Sequence, residues 1–87
     1  MKNSFENPNN FQESLQTVRE KLIAEVLELA TNPDDNRGVT PAMYDALVRG
    51  EKISWNIALW GMTARIGQDA RINPHQLESI RREIFLD

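Results

Sequence analysis

One segment, Ser54–Asp69, constrains the fold most, because at helical spacing it is apolar on two opposite sides. Its sequence is SWNIALWGMTARIGQD. At about 100° per residue, one stripe has the spacing of a core-facing helix and consists of Trp55, Leu59, Met62 and Ile66. The opposite stripe consists of Ile57, Trp60 and Ala64. A helix that is apolar all round is normally buried. This helix is therefore predicted either to form the centre of the fold or to have one face covered by another molecule.

The size and composition of the chain predict one small domain. A chain of 87 residues is near the lower end of the domain size range, and about 60–65% of its unfolded surface becomes buried on folding. Dimerisation commonly supplements so small a core, and we expect a homodimer. Residues 1–9 are polar and are predicted to form a flexible tail, followed by a single helical domain over residues 10–87.

The distribution of charge and the search for targeting signals limit the class to which the protein can belong. Residues 1–36 carry three basic and seven acidic side chains, whereas residues 37–87 carry seven basic and six acidic ones. An anionic partner is therefore expected only on the C-terminal half. The first ten residues lack the apolar core of a signal peptide, and no apolar run approaches the roughly 20 residues of a membrane span. These features predict a cytoplasmic protein with no membrane partner.

Periodicity and capping residues predict an all-α fold, a compact bundle of four helices without strands. The first helix is expected over about residues 11–31, with Asn10 and Glu13 forming a capping box. The second begins at Thr40-Pro41 and ends at Gly50. The third is expected to be capped by Ser54 and to end near Gly67, and the fourth is capped by Asn73, with Gln76 as its partner. The inner stripe of the fourth helix consists of Leu77, Ile80 and Ile84.

The residue types of the chain do not fit the patterns of catalytic and metal-binding sites. The chain has no cysteine and a single histidine, His75, so a metal site lacks the further nitrogen or sulfur ligands that it needs. Asp34 and Asp35 are adjacent in a polar turn, with nothing apolar nearby to separate their protonation states. No glycine pattern matches a phosphate-binding loop. The sequence predicts no enzyme activity and no cofactor.

Residues 39–77 carry a resemblance to a known family. The segment VTPAMYDALVRGEKISWNIALWGMTARIG, followed by INPHQL, resembles the second half of a Cro/cI-type, or XRE-class, helix-turn-helix domain. In that resemblance Thr40–Arg49 matches the recognition helix, Ala58–Gly67 the following helix, and Asn73–Leu77 the start of the last helix. The resemblance implies a divergent helix-turn-helix-like bundle and a small DNA-binding protein that regulates transcription.

The DNA-binding residues that the resemblance implies are Arg37, Thr40, Ala42, Asp45, Arg49 and Lys52. Arg49 and Lys52 are expected to contact phosphates or base edges. Thr40 and Arg37 are expected to bind phosphate at the N-terminus of the recognition helix. The homodimer interface is expected to include Phe11, Leu15, Ile57, Trp60 and Ala64.

The residues themselves also allow a second function. The alternative is a non-enzymatic adaptor or inhibitor that binds another protein through the Trp60 face and the acidic first helix. The isoelectric point near 5.1 and the nearly neutral face of Ala42, Asp45 and Arg49 favour this alternative. The order of caps and glycines favours DNA binding. Whether Trp60 faces the core or an interface is also left open, although tryptophan is the residue type most enriched in binding hot spots.

Overall fold

The computed structural model describes residues 9–86, except for the side chains of Asn9 and Asn10. The predicted tail and the predicted Asn10 cap therefore fall largely outside the described residues. The chain forms four helices in the order α1 (Asn9–Ala30), α2 (Pro41–Val48), α3 (Ile57–Asp69) and α4 (Pro74–Ile84). Between residues 9 and 86 there is no β-strand, only a parallel bridge between Ile53 and Phe85. The all-α class is confirmed, whereas a helix-turn-helix-like arrangement stays a prediction.

The longest helix, α1, is the element on which the others pack. Its side chains at Val18, Leu22 and Val26 are fully buried, as the 3.6-residue apolar spacing predicts. Each of α2, α3 and α4 contacts α1. Within residues 9–86 no helix is both long and apolar enough to cross a bilayer.

Local capping chemistry sets both ends of α2. The Thr40 hydroxyl accepts a hydrogen bond from the Met43 amide at 3.3 Å, and Pro41 occupies the first turn, as predicted. After Val48 the backbone of Gly50 adopts a left-handed φ of 80°. The Gly50 amide donates to Leu47 O at 3.0 Å and the Glu51 amide to Ala46 O at 2.8 Å, which is the Schellman pattern.

The start of α3 differs from the prediction, because Asn56 rather than Ser54 is its N-cap. The side chain of Asn56 accepts a hydrogen bond from the Leu59 amide at 3.1 Å. Upstream, the Ile53 amide donates to Ile84 O at 2.9 Å, and Ile53 O accepts from the Leu86 amide at 2.8 Å. Because this pairing holds Ile53 outside a helix, the N-cap lies three residues later, at Asn56, and the helix begins at Ile57.

The delayed start moves Trp55 out of the predicted core-facing stripe. Trp55 precedes the helix and is 54% exposed, so its predicted core position was wrong. Leu59 and Ile66 of the same stripe are buried, as predicted, and Met62 is half-buried. The helix also continues past Gly67 to Asp69.

A close approach between α3 and α4 explains Gly67. A Cβ atom on Gly67 would lie 2.6 Å from Leu77 Cδ1, so a side chain there would collide with α4. The start of α4 is as predicted, because Asn73 Oδ1 accepts hydrogen bonds from the amides of His75 at 2.8 Å and Gln76 at 3.3 Å. The predicted inner stripe of α4, Leu77, Ile80 and Ile84, is buried.

Candidate functional site

The residues that the family resemblance assigns to DNA are named here the α2 face: Arg37, Thr40, Ala42, Asp45, Arg49 and Lys52. All six are exposed. Ala42 and Asp45 lie on α2 itself, whereas Thr40 and Arg49 are its two caps. Arg37 lies in the preceding loop with a left-handed φ of 53°.

Arg49, one of the three cations of the α2 face, is paired with a neighbouring carboxylate. Arg49 donates two hydrogen bonds to Glu51, from Nε to Oε2 at 3.2 Å and from Nη2 to Oε1 at 3.1 Å. These hydrogen bonds, together with the charge attraction, raise the pKa of Arg49 above its ordinary value and lower the pKa of Glu51 below its own. A paired arginine presents little net charge to a phosphate.

Two other polar groups of the α2 face, those of Arg37 and Thr40, have local partners too. Arg37 Nε lies 3.9 Å from Asp35 Oδ2, and the Thr40 hydroxyl is used by the cap of α2. Lys52 is the one cation of this face without an ion pair in the described part of the chain. The face therefore offers few free donors for phosphates or base edges, and its role in DNA binding stays a prediction.

The predicted interface residues lie on two helices, α1 and α3, and differ in exposure. Phe11 and Leu15 are half-buried against the core, on the N-terminal half of α1. That half lies beside Ala70 and Ile72, at the C-terminal end of α3. Ile57, in contrast, is the first residue of α3, a helix of 13 residues that is about 20 Å long. Of the predicted residues, only Ile57 is strongly exposed, at 74%.

A cleft that was not predicted from the sequence lies at the N-terminal end of α3 and is named here the aromatic cleft. It has a volume of about 220 Å³. Its walls consist of Trp55, Trp60, Glu78, Arg81, Arg82, Phe85 and Leu86. The ring centroids of Trp55 and Trp60 are 6.4 Å apart, and those of Trp60 and Phe85 are 5.4 Å apart.

The bridge between Ile53 and Phe85 builds this cleft. It brings the residues that follow α4 against the residues that precede α3, so that Trp55 and Leu86 become walls of the same cavity. Trp60 packs against the core from one side and contributes to the cleft from the other. Trp60 therefore lies at the boundary between the core and the surface, and contacts both.

The aromatic cleft also contains a cation. The guanidinium carbon of Arg81 lies 4.0 Å from the centroid of the Trp60 ring, and Arg81 Nη2 donates to Trp60 O at 3.2 Å. The Nε of Arg81 is buried without a hydrogen-bond acceptor among the described residues. Arg82 lies nearby, 3.8 Å from the carboxylate of Glu78.

Exposed apolar side chains continue outward from the aromatic cleft. Trp55 is 54% exposed and Leu86 is 52% exposed. Exposed apolar groups that gather around a concave site indicate a binding surface more than the same groups scattered singly. In residues 9–86 no group of three or more His, Cys, Asp or Glu side chains is arranged to hold a metal ion.

Comparisons of the chain with protein-family models, with curated proteins and with solved structures find no match.

Proposed function

We propose that this chain is a non-enzymatic protein-binding module that takes an apolar side chain of its partner into the aromatic cleft. The observation that carries the proposal is the cleft wall, in which an exposed tryptophan, Trp55, adjoins the half-buried Trp60 and the buried Phe85. Exposed tryptophans beside a preformed hollow are typical of binding hot spots. The volume of about 220 Å³ is below the roughly 300 Å³ of small-molecule sites and suits a single side chain.

The charges of the α2 face support protein binding over DNA binding. DNA affinity comes largely from Lys and Arg side chains that neutralise phosphates. Here Arg49 is paired with Glu51, and the chain as a whole has a net charge of −3. DNA binding through a divergent helix-turn-helix remains the competing prediction, carried by Lys52 and the exposed caps of α2.

The test compares two variants that each remove one exposed apolar side chain. Trp55→Ala removes a wall of the aromatic cleft, whereas Val48→Ala removes a side chain on α2 that is 56% exposed and does not line the cleft. Each protein is used to isolate bound partners from cells, with proteins identified by mass spectrometry and nucleic acid quantified. The binding of each isolated partner is then measured with purified components.

We expect a protein partner that binds wild type and Val48→Ala equally and binds Trp55→Ala at least about tenfold more weakly. The reason is that tryptophan hot spots contribute about 2 kcal/mol or more to binding. The opposite result is bound DNA that survives Trp55→Ala and is lost on Lys52→Gln. That outcome would replace the proposal with the helix-turn-helix function.

A glutamate substitution tests the DNA alternative more directly. Glu51→Gln releases Arg49 from its ion pair and is compared with Glu83→Gln, which changes the net charge equally on α4. If the α2 face binds DNA, Glu51→Gln should strengthen binding to a duplex at about 50 mM salt and steepen its salt dependence. Equal effects of the two substitutions would indicate net charge alone.

A further inference from the structure

Resting on the proposed function, we infer that the aromatic cleft recognises an acidic segment of a partner protein, with one large apolar side chain in the hollow and a carboxylate on Arg81. This occupant follows from three properties of the site: the state of Arg81, the size of the hollow and the charges at its rim.

Arg81 is a cation with donors to spare. A guanidinium has five N–H donors, and the structure gives Arg81 one acceptor, Trp60 O at 3.2 Å. Its Nε is buried without an acceptor in the described part of the chain, and no described carboxylate lies within ion-pair distance of it. The Nε itself is closed to an incoming group because it is buried. A carboxylate would therefore bind the outer Nη donors of the guanidinium, whose charge no described carboxylate balances.

The hollow beside Arg81 is apolar and small. Its aromatic walls are fixed by the packing of Trp60 on Phe85 at 5.4 Å and by the backbone bridge at Ile53. A volume of about 220 Å³ accommodates one aromatic or long aliphatic side chain. The occupant is therefore a segment in which a large apolar residue has acidic neighbours.

The rim charges favour a peptide over a nucleic acid. Two arginines line the cleft, and one of them, Arg82, is 3.8 Å from Glu78. Single-stranded nucleic acids also stack on aromatic rings, but they require a positive groove that follows the backbone. Among residues 9–86 only one of these arginines, Arg81, is without an ion pair, and it faces a single hollow, which matches one carboxylate beside one anchor.

The experiment is a selection of random short peptides on the folded protein. We expect the peptides that bind wild type, and that lose binding to Trp55→Ala, to be enriched in Asp or Glu next to Phe, Trp or Leu. Binding of a selected peptide is measured by fluorescence, because Trp55 and Trp60 are the two tryptophans of the chain. Replacing the acidic residues of that peptide with Asn or Gln should weaken it at least about tenfold, since hydrogen bonds to charged groups are the strong ones.

Matched variants assign the carboxylate to Arg81. Arg81→Gln should weaken acidic peptides at least about tenfold, and Arg81→Lys by an intermediate factor, because lysine keeps the charge and loses the planar fork. Arg65→Gln removes the same charge from an exposed position on α3 that does not line the cleft, and it should change binding less than threefold, the scale of a screened surface charge. Thermal melting of each variant establishes that it is folded at the temperature of the binding measurement.

The outcomes separate this inference from the proposed function. Peptides that need Trp55 but show no acidic preference, or that bind Arg81→Gln as well as wild type, overturn the inference and leave the protein-binding function standing. If no selected peptide depends on Trp55, both fail. Tight binding of oligo(dT) or oligo(U) at the cleft, lost in Trp55→Ala, would assign the site to single-stranded nucleic acid instead.

Discussion

Arg71 closes α3 with a left-handed backbone, at a φ of 59°. It occupies the position in a Schellman motif that Gly50 occupies after α2: the Arg71 amide donates to Gln68 O at 3.0 Å and the Ile72 amide to Gly67 O at 2.9 Å. A residue with a Cβ atom in this conformation costs about 1–2 kcal/mol. Two helices of one chain therefore end in the same way, one with glycine and one without.

Substitutions at these two positions should change stability in opposite directions. Arg71→Gly should raise the free energy of unfolding by about 0.5–1 kcal/mol. The backbone strain that glycine relieves in the folded protein outweighs the free-energy cost of the entropy that it adds to the unfolded chain. Gly50→Ala should lower it by about 1 kcal/mol through backbone strain alone, since nothing lies within 4 Å of the added Cβ. Urea denaturation measures both, and a loss of stability in Arg71→Gly would contradict the assignment.

The pair of Arg49 and Glu51 predicts a pH dependence. Because the hydrogen bond from Arg49 lowers the pKa of Glu51, the pair contributes to stability above the ordinary glutamate pKa. This contribution is lost as the pH falls through the lowered value. An NMR titration of the Glu51 carboxyl carbon should show a higher midpoint in Arg49→Gln than in wild type. An unchanged midpoint would mean that the two side chains do not pair in solution.

At the scale of the helices, the two glycines within α3 differ in surroundings. Gly67 faces Leu77 across the α3–α4 contact, whereas a Cβ on Gly61 would meet no atom of the described residues within 4 Å. Gly67 therefore lets α4 pack closely on α3, and Gly61 has no such role in the described part of the chain.

Alanine at these two glycines is a matched pair of tests. Gly67→Ala should destabilise the protein by about 1–3 kcal/mol, because the added methyl group overpacks the helix contact. Gly61→Ala should stabilise it by about 0.5–1 kcal/mol through helix propensity. Thermal and urea unfolding measure both variants. Equal changes at the two positions would show that α4 does not pack closely on Gly67.

Features that depend on residues close in the sequence were predicted better than features that depend on contacts between distant residues. Thr40 and Asn73 were identified correctly as caps, because a cap depends on residues within one turn of it. Ser54 was assigned as a cap wrongly, because the Ile53–Phe85 bridge joins residues that are distant in the sequence. The aromatic cleft was missed for the same reason: Trp55 and Leu86 become neighbours only through that bridge.

At the scale of the whole molecule, the two tryptophans divide stability from binding. Trp60 packs against the core and Phe85, whereas Trp55 is mostly exposed. Trp60→Ala should therefore lower the free energy of unfolding by about 2–4 kcal/mol, and Trp55→Ala by less than about 1 kcal/mol. Urea denaturation measures the difference. Equal losses would place Trp55 in the core and remove the basis of the proposed function.

The homodimer predicted from the sequence is tested with the same proteins. Light scattering at micromolar concentration should give about twice 10.0 kDa for a dimer. If Trp55→Ala alone reduces this to the monomer mass, the partner in the aromatic cleft is a second copy of the chain. A monomer mass for wild type would end the homodimer prediction.

The bridge at Ile53 has a consequence for motion. Its two hydrogen bonds are donated by the amides of Ile53 and Leu86. They fix the backbone of Phe85 and Leu86 beside the cleft. Local opening of the bridge would release both bonds together, so the two amide protons should show a common protection factor in exchange with deuterated solvent. A ligand that binds only the closed form would raise both protection factors by the same ratio, and the wall of the site would thus report its own occupancy.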